Sequence, residues 1–143
     1  MLIAAILRAK GPEVVSVPPE ATVARLLTEL ARHNIGAIVV ATGDGTLVGI
    51  VSERDVVRHL ERRGPELLTA PVSDIMTSDV VTCTAEDSVE EVSEHMTTRR
   101  FRHVPVVSDG RLAGIVSIGD LVKSRLSVLE DDRAQLEAYI HGS

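Results

Sequence analysis

The sequence of 143 residues has almost no aromatic side chains, with one Phe, one Tyr and no Trp. Single-stranded nucleic acids are often bound by bases stacked on rows of aromatic rings, so a bound base would here have to lie among aliphatic side chains. The chain also carries more acidic than basic residues, 21 against 15, for a net charge of −6. A uniformly basic face is therefore unavailable to nucleic acid or to anionic lipid. We expect neither nucleic acid nor a membrane as a partner.

Cysteine is equally scarce. The single Cys83 cannot form a disulfide within the chain and supplies no cluster of soft metal ligands, so we expect a reducing compartment, the cytoplasm. The five histidines show no metal-ligand spacing, and we expect no metal. No apolar run approaches the roughly 18 residues that span a membrane. Residues 1–7 are apolar but too short for a signal peptide, and their first cation, Arg8, follows them.

The most informative feature of the sequence is an internal repeat. Residues 44–57 (DGTLVGIVSERDVV) reappear at 109–122 (DGRLAGIVSIGDLV), and nine of the fourteen positions are identical. The match continues upstream at an offset of 66 residues, with Gly43 as an insertion, and even the preceding pair Ile6-Leu7 recurs as Ile75-Met76. The chain therefore consists of two copies of one unit.

The periodicity within each copy predicts the order β-α-β-β-α. In the first copy, residues 14–17 are a short apolar run, and a helix capped by Thr22 follows. Residues 35–41 and 47–51 are β-branched runs joined by a glycine-containing turn, typical of a strand pair. A last helix begins near Asp55 and ends at Gly64. In the second copy Ser88 and Glu91 have the capping-box spacing at the start of its first helix.

These elements define the expected organisation. We predict an α/β (α+β) protein in which two tandem repeats, related by a pseudo-twofold axis, place small sheets between helices. By chain order, residues 1–64 are the first repeat with its lead-in, residues 65–126 are a linker and the second repeat, and residues 127–143 extend the last helix. The linker itself is expected over residues 61–79. Apolar residues spaced by four and three continue along the last helix at Val122, Leu126, Leu129, Leu136 and Ile140, interrupted by Arg133, so this helix should pack on something outside its own repeat.

Two such units, each with a Gly-Ile-Val-Ser-x-x-Asp motif at a strand-to-helix turn, resemble the CBS-domain pair, or Bateman module. The resemblance covers roughly residues 3–126 and is carried by residues 49–55 (GIVSERD), 114–120 (GIVSIGD) and 102–107 (RHVPVV). It implies an adenosine-nucleotide sensor with two clefts between the repeats, assembled as a homodimer and without catalytic chemistry of its own. AMP is the first expected ligand, with ADP, ATP, NAD(H) or an S-adenosyl compound as alternatives, and the regulated protein is unidentified.

The repeated Ser and Asp residues suit such a ligand. A carboxylate at the first turn of a helix, as at Asp55 or Asp120, can accept hydrogen bonds from both vicinal hydroxyls of a ribose. Ser52 and Ser117 can reach a phosphate or ribose oxygen, and a helix N-terminus favours an anion. The alternative is that each Ser-x-x-Asp is a plain helix cap, since both residue types are preferred there. The two roles are compatible.

Charge makes the two expected clefts unequal. Arg102 and His103 occur where many members of this family contact phosphates, and Arg54 can join them from the first repeat. The equivalent first-repeat positions, Gly36 and Ala37, are uncharged. We interpret the neighbouring Arg99 and Arg100 as the solvated end of a helix.

The family arrangement assigns the candidate residues to clefts. The first cleft is expected to hold Ser52, Arg54 and Asp55 together with Cys83, Arg102, His103 and Pro105. The second is expected to hold Ser117 and Asp120 facing Val17, Ile35, Gly36 and Ala37. The first should then prefer phosphorylated ligands, and the second should accept ligands held mainly by adenosine.

Two other functions remain open at this point. The chain could be a structural or inhibitory interaction module that binds no physiological nucleotide. It could also be a hydrolase or redox enzyme, but the sequence offers no phosphate-binding loop, nucleophile elbow or metal-ligand set for one.

Overall fold

The computed structural model describes residues 1–11 and 13–142, and these form five α-helices and five strands. The helices are α1 (Ile3–Lys10), α2 (Val23–His33), α3 (Glu53–Arg63), α4 (Val89–Arg99) and α5 (Ile118–His141). The strands are β1 (Ser16–Val17), β2 (Ala37–Ala41), β3 (Leu47–Ser52), β4 (His103–Ser108) and β5 (Arg111–Ser117). Two 3₁₀ helices, Gly64–Thr69 and Val72–Asp74, connect α3 to the second repeat.

The strands form two small sheets that repeat the same pairing. In the first, β1 lies parallel to β2 and β2 pairs antiparallel with β3; in the second, β4 pairs antiparallel with β5. The registers match, because Ala37 opposes Ser52 as His103 opposes Ser117. In place of the expected first strand, the second sheet has a single parallel bridge between Val106 and Cys83, the residue predicted to follow that strand. The predicted α+β fold of two tandem repeats with small sheets flanked by helices is confirmed, but the β-α-β-β-α order is complete only in the first repeat.

Each repeat has its own hydrophobic core, but the segments that precede the two repeats are exchanged. Ile3 and Ile6 of α1 are buried in the second core, beside residues such as Val92 and Val116. Leu67, Ala70, Val72 and Ile75, from the segment between the repeats, are buried in the first core. The predicted boundary at residue 64 divides the two repeats by chain order. In the folded protein, the core of each repeat is completed by the segment that precedes the other repeat in the sequence.

This exchange explains the recurrence of Ile6-Leu7 as Ile75-Met76. Met76 lies against Gly49 of β3, and Leu7 lies against Gly114 of β5, the equivalent glycine. A Cβ atom at Gly49 would come within 2.6 Å of the Met76 sulfur, and one at Gly114 within 2.6 Å of Leu7 Cδ2. The glycines thus let a lead-in side chain approach the backbone of each sheet.

The segment predicted as a linker, residues 61–79, is largely structured, which corrects that prediction. Helix α3 continues to Arg63, and the two 3₁₀ helices follow, because Leu67 and Val72 have core positions to fill. The predicted extension of the last helix is present, since α5 has 24 residues and ends at His141. Val122, Leu126 and Leu129 on α5 are more than half exposed in the single chain.

Candidate functional site

The two Ser-x-x-Asp turns are both capping boxes. Ser52 caps α3, where its Oγ accepts the Asp55 N–H at 3.3 Å while its own N–H donates to Asp55 Oδ2 at 2.9 Å. Ser117 and Asp120 repeat the geometry at α5, with distances of 3.1 and 2.9 Å. The helix-cap interpretation is therefore correct for both turns. The cap leaves one oxygen of the Asp55 carboxylate available, because the hydrogen bonds within the described residues involve only its Oδ2 atom.

A cavity of about 330 Å³ opens at the first of these turns, between the two repeats. It is lined by three groups of residues: Gly36, Ala37, Ile50, Ser52, Glu53, Arg54 and Asp55 from the first repeat; Thr77, Asp79, Val80 and Val81 from the connecting segment; and Arg100, Phe101, Arg102 and His103 from the second repeat. Five of the seven residues assigned to the first cleft by sequence line this one cavity: Ser52, Arg54, Asp55, Arg102 and His103. The structure thus brings the acidic turn of one repeat to the basic segment of the other.

Cys83 and Pro105 do not line this cavity. Pro105 is buried in β4, and its carbonyl accepts the Cys83 N–H at 3.0 Å. Cys83 lies instead on a separate cavity of about 60 Å³. Burial, with a smaller contribution from the charge of Asp87, raises the pKa of the Cys83 thiol to about 11. The thiol is therefore protonated and unreactive at neutral pH.

The assignment of residues to a second cleft needs correction. Gly36 and Ala37 line the cavity beside Ser52 and not a site beside Ser117, because Ala37 opposes Ser52 in the sheet and the Gly36 carbonyl accepts the Glu53 N–H at 2.9 Å. Val17 is 1% exposed in the first core, and Ile35 packs against that core. The side chain of Val17 therefore cannot contact a ligand at Asp120.

A basic side chain is already bound at the second turn. Lys10 Nζ donates to Asp120 Oδ2 at 2.8 Å and to the Ile115 carbonyl at 2.8 Å. Burial alone would raise the pKa of Asp120, but the hydrogen bonds from Lys10 and Ser117, together with the Lys10 charge, hold it below its ordinary value. Sequence reasoning missed Lys10, because nothing in the repeat pattern relates residue 10 to residue 120.

The first cavity is electrostatically mixed. Its lining includes three arginines and three carboxylates: Arg54, Arg100 and Arg102, and Glu53, Asp55 and Asp79. Arg100, predicted to be a solvated helix end, is exposed and caps α4 in the left-handed conformation with φ 58°, and it also lines the cavity. Glu53 and Asp79 were also missed, although Glu53 directly follows the capping Ser52.

His103 lies between the two turns. Its pKa is lowered chiefly by burial and next by the positive charge of Lys10; Asp120 and Glu53 oppose this shift, while Arg102 adds to it. A neutral imidazole is thus favoured at neutral pH. In that form His103 can still donate one hydrogen bond to an anionic ligand.

The part of the chain that the structure describes holds no group of three or more His, Cys, Asp or Glu residues arranged to bind a metal ion. Over residues 1–11 and 13–142, no helix is both long and apolar enough to cross a membrane.

The paired repeats, the exchanged lead-ins and the inter-repeat cavity define a protein built from two CBS domains. A family model described as the CBS domain matches residues 10–62 and again residues 72–127. The chain belongs to the CBS domain family.

Individual relatives agree with this membership. A crystal structure of a CBS-domain containing protein from Agrobacterium tumefaciens superposes with a TM-score of 0.83 and 43% identity, covering 87% of this chain and 99% of that one. The CBS domain-containing protein YhcV of Bacillus subtilis is 32% identical over 80% of this chain and 81% of its own length. The CBS domain pair of protein MJ0100, solved in complex with 5′-methylthioadenosine and S-adenosyl-L-methionine, superposes with a TM-score of 0.76 and 28% identity, covering 88% and 98%.

Proposed function

We propose that this chain is a non-catalytic regulatory module that binds an adenosine compound in the cavity between its repeats. The observation that carries the proposal is the convergence of Ser52 and Asp55 with Arg102 and His103 on one cavity of about 330 Å³. That volume is within the range of small-molecule sites. The adenosine ligands bound by the CBS domain pair of MJ0100 support the same ligand class.

Each part of an adenosine nucleotide has a matching group. The unoccupied Oδ1 of Asp55 can accept hydrogen bonds from the ribose hydroxyls. Ile50, Val80 and Val81 supply aliphatic contact for the adenine, as expected in a chain almost without aromatic residues. Arg54 and Arg102 can bind phosphate oxygens, and charge-assisted hydrogen bonds are roughly twice as strong as neutral ones.

AMP is the ligand we propose first. ADP, ATP and NAD(H) share its adenosine monophosphate part. An S-adenosyl compound carries positive and negative groups on one molecule. It would therefore match a cavity that is lined by three arginines and three carboxylates. The ligand state would pass to an unidentified regulated protein, through differential affinity for two conformations of the module. The cytoplasmic location expected from the single cysteine stays a prediction.

We also propose that the module is a homodimer. Val57 and Leu60 on α3 and Val122, Leu126 and Leu129 on α5 are exposed in the single chain. Apolar side chains at helical spacing are costly to expose to water, and a second copy of the chain would cover them.

The alternative function is a structural or inhibitory interaction module whose cavity stays empty in the cell. The same exposed apolar side chains favour it, since they suit a protein partner. Purification separates the two functions. Because the chain has no Trp, co-purified adenine would dominate the ultraviolet spectrum, and nucleotides would raise the melting temperature by mass action.

Calorimetric titration of nucleotide-stripped protein with AMP and with adenosine tests the phosphate assignment. Arg102→Ala should weaken AMP binding by about 1.5 kcal/mol, or roughly tenfold, which is the lower end for hydrogen bonds to charged groups because Arg102 is exposed. It should leave adenosine binding nearly unchanged. Arg99→Ala is the matched control, since Arg99 is exposed and lies outside the cavity lining. Equal weakening of AMP and adenosine by Arg102→Ala would contradict the assignment.

A further inference from the structure

The two acidic turns are equivalent in backbone but differ in what covers them. At the first turn, the Ile50 carbonyl accepts the Thr77 N–H at 2.8 Å, and Asp55 faces the open cavity. At the second, the equivalent Ile115 carbonyl accepts the Lys10 ammonium at 2.8 Å, and the same ammonium binds Asp120 at 2.8 Å. The carbonyl of the first repeat is thus hydrogen-bonded by a backbone N–H, whereas the equivalent carbonyl of the second repeat is hydrogen-bonded by the side chain of Lys10.

The position of Lys10 is set by the fold of α1. Ile3 and Ile6 are buried in the second core, and the Ile3 and Ala4 N–H groups donate to the Asp87 and Ala85 carbonyls at 2.9 Å each. Leu7 lies against Gly114. Lys10 is the last residue of this anchored helix, so its side chain is delivered to Asp120 by contacts that do not depend on the ion pair itself.

We propose that Lys10 is an internal competitor at the second turn, which leaves the chain with one strong adenosine site, at Asp55, and one latent site, at Asp120. This inference rests on the proposed function, in which an Asp carboxylate accepts the ribose hydroxyls. The Lys10 ammonium binds Oδ2 of Asp120 and leaves Oδ1 without a partner among the described residues, but it neutralises the carboxylate and lies beside it, so the ribose hydroxyls would have to share the carboxylate with a bound cation. A nucleoside without phosphate offers no anion that could draw Lys10 away. The second turn should therefore bind adenosine at least about tenfold more weakly than the first, contrary to the expectation from sequence that this cleft accepts ligands held mainly by adenosine.

Two backbone amides allow a site-resolved test. The Ser52 N–H donates to Asp55 and the Ser117 N–H donates to Asp120, so the amide resonance of each serine reports on one carboxylate. In an NMR titration of the wild-type chain with adenosine, the Ser52 amide should shift and saturate while the Ser117 amide stays unchanged at the same concentrations. In Lys10→Met, both amides should titrate, with midpoints within about threefold of each other. Methionine preserves most of the apolar stem of lysine, and an unchanged circular dichroism spectrum would verify the fold.

Arg8→Met is the matched control, because Arg8 is an exposed cation in the same last turn of α1. It should behave like the wild type, and Asp120→Asn in the Lys10→Met background should abolish the gained Ser117 response. The inference is overturned if Ser117 titrates together with Ser52 in the wild type, or if Ser117 stays silent in Lys10→Met. If neither amide responds to adenosine or to AMP in any variant, the proposed function itself fails and the inference with it.

Discussion

Substitution of Gly49 by Ala should destabilise the protein much more than the equivalent substitution of Gly114. A Cβ at Gly49 would lie 2.6 Å from the Met76 sulfur and 2.9 Å from the Thr77 carbonyl oxygen. That carbonyl is fixed, since it accepts the Ile50 N–H at 3.0 Å while the Thr77 N–H donates to Ile50 at 2.8 Å. The backbone must therefore move to accommodate the methyl group.

At Gly114, by contrast, the new Cβ would meet only the end of a side chain. Leu7 Cδ2 lies at 2.6 Å, and the next atoms, also of Leu7, are at 3.5 and 3.6 Å. A rotation of the leucine relieves this contact. Neither glycine has a positive φ angle, so conformational strain does not distinguish them.

The magnitudes follow from these contacts. Overpacking costs about 1–3 kcal/mol, and disturbing the Thr77–Ile50 hydrogen bonds adds about 1 kcal/mol. Replacing glycine by alanine returns about 0.4–1 kcal/mol through the unfolded state. Gly49→Ala should therefore lose about 2 kcal/mol, and Gly114→Ala should stay within about 1 kcal/mol of the wild type. For a domain of this size these values correspond to Tm losses of about 8 °C and less than about 4 °C.

Urea unfolding followed by far-ultraviolet circular dichroism measures both variants, since the chain has no Trp for fluorescence. The two Gly→Ala changes are matched in chemistry and in position within the repeat. Equal losses, or a larger loss at Gly114, would refute the argument that the fixed Thr77 carbonyl decides the outcome.

Two further predictions concern assembly and pH. Light scattering at micromolar concentration should give about twice the chain mass of 15.4 kDa, and Leu126→Glu should return it to the monomer; a monomeric wild type would contradict the proposed dimer. The lowered pKa of Asp120 means that its stabilising ion pair is present above the ordinary value of 3.8 and is lost as the pH falls through the folded-state pKa. Urea unfolding should accordingly show Lys10→Met less stable than the wild type at neutral pH, by less than about 1 kcal/mol after solvent screening. This difference in stability should vanish in acid. A difference that does not depend on pH would contradict the stabilising role of the ion pair.

The repeat made most of the fold predictable from sequence. The Ser-x-x-Asp turns, the strand pairs and the caps at Thr22 and Ser88 depend on residues close together in the chain, and their patterns occur twice. The first strand of the second repeat was less predictable. The residues in this region have the β-branched composition of a strand, but only Cys83 pairs with the second sheet, through its bridge to Val106.

The site was predictable only in part, because its remaining residues depend on contacts between distant segments. Arg100 reaches the cavity because it adopts the left-handed conformation after the last residue of α4, Arg99. Two consecutive arginines at the end of a helix do not predict this conformation. Lys10 meets Asp120 across 110 positions of chain. Gly36 and Ala37 were placed with the wrong turn, since the choice between two clefts depends on how the repeats pack against each other.

The exchange of lead-in segments also sets an order of events during synthesis. Ile3 and Ile6 are synthesised well before the residues that bury them, which extend from Cys83 to Leu121. At about 5–20 residues per second, roughly 6 to 24 seconds pass before that partner surface exists. During this interval the first repeat can acquire its own core as soon as Ile75 has emerged, while the apolar residues of α1 remain without their native partner and stay accessible to chaperones.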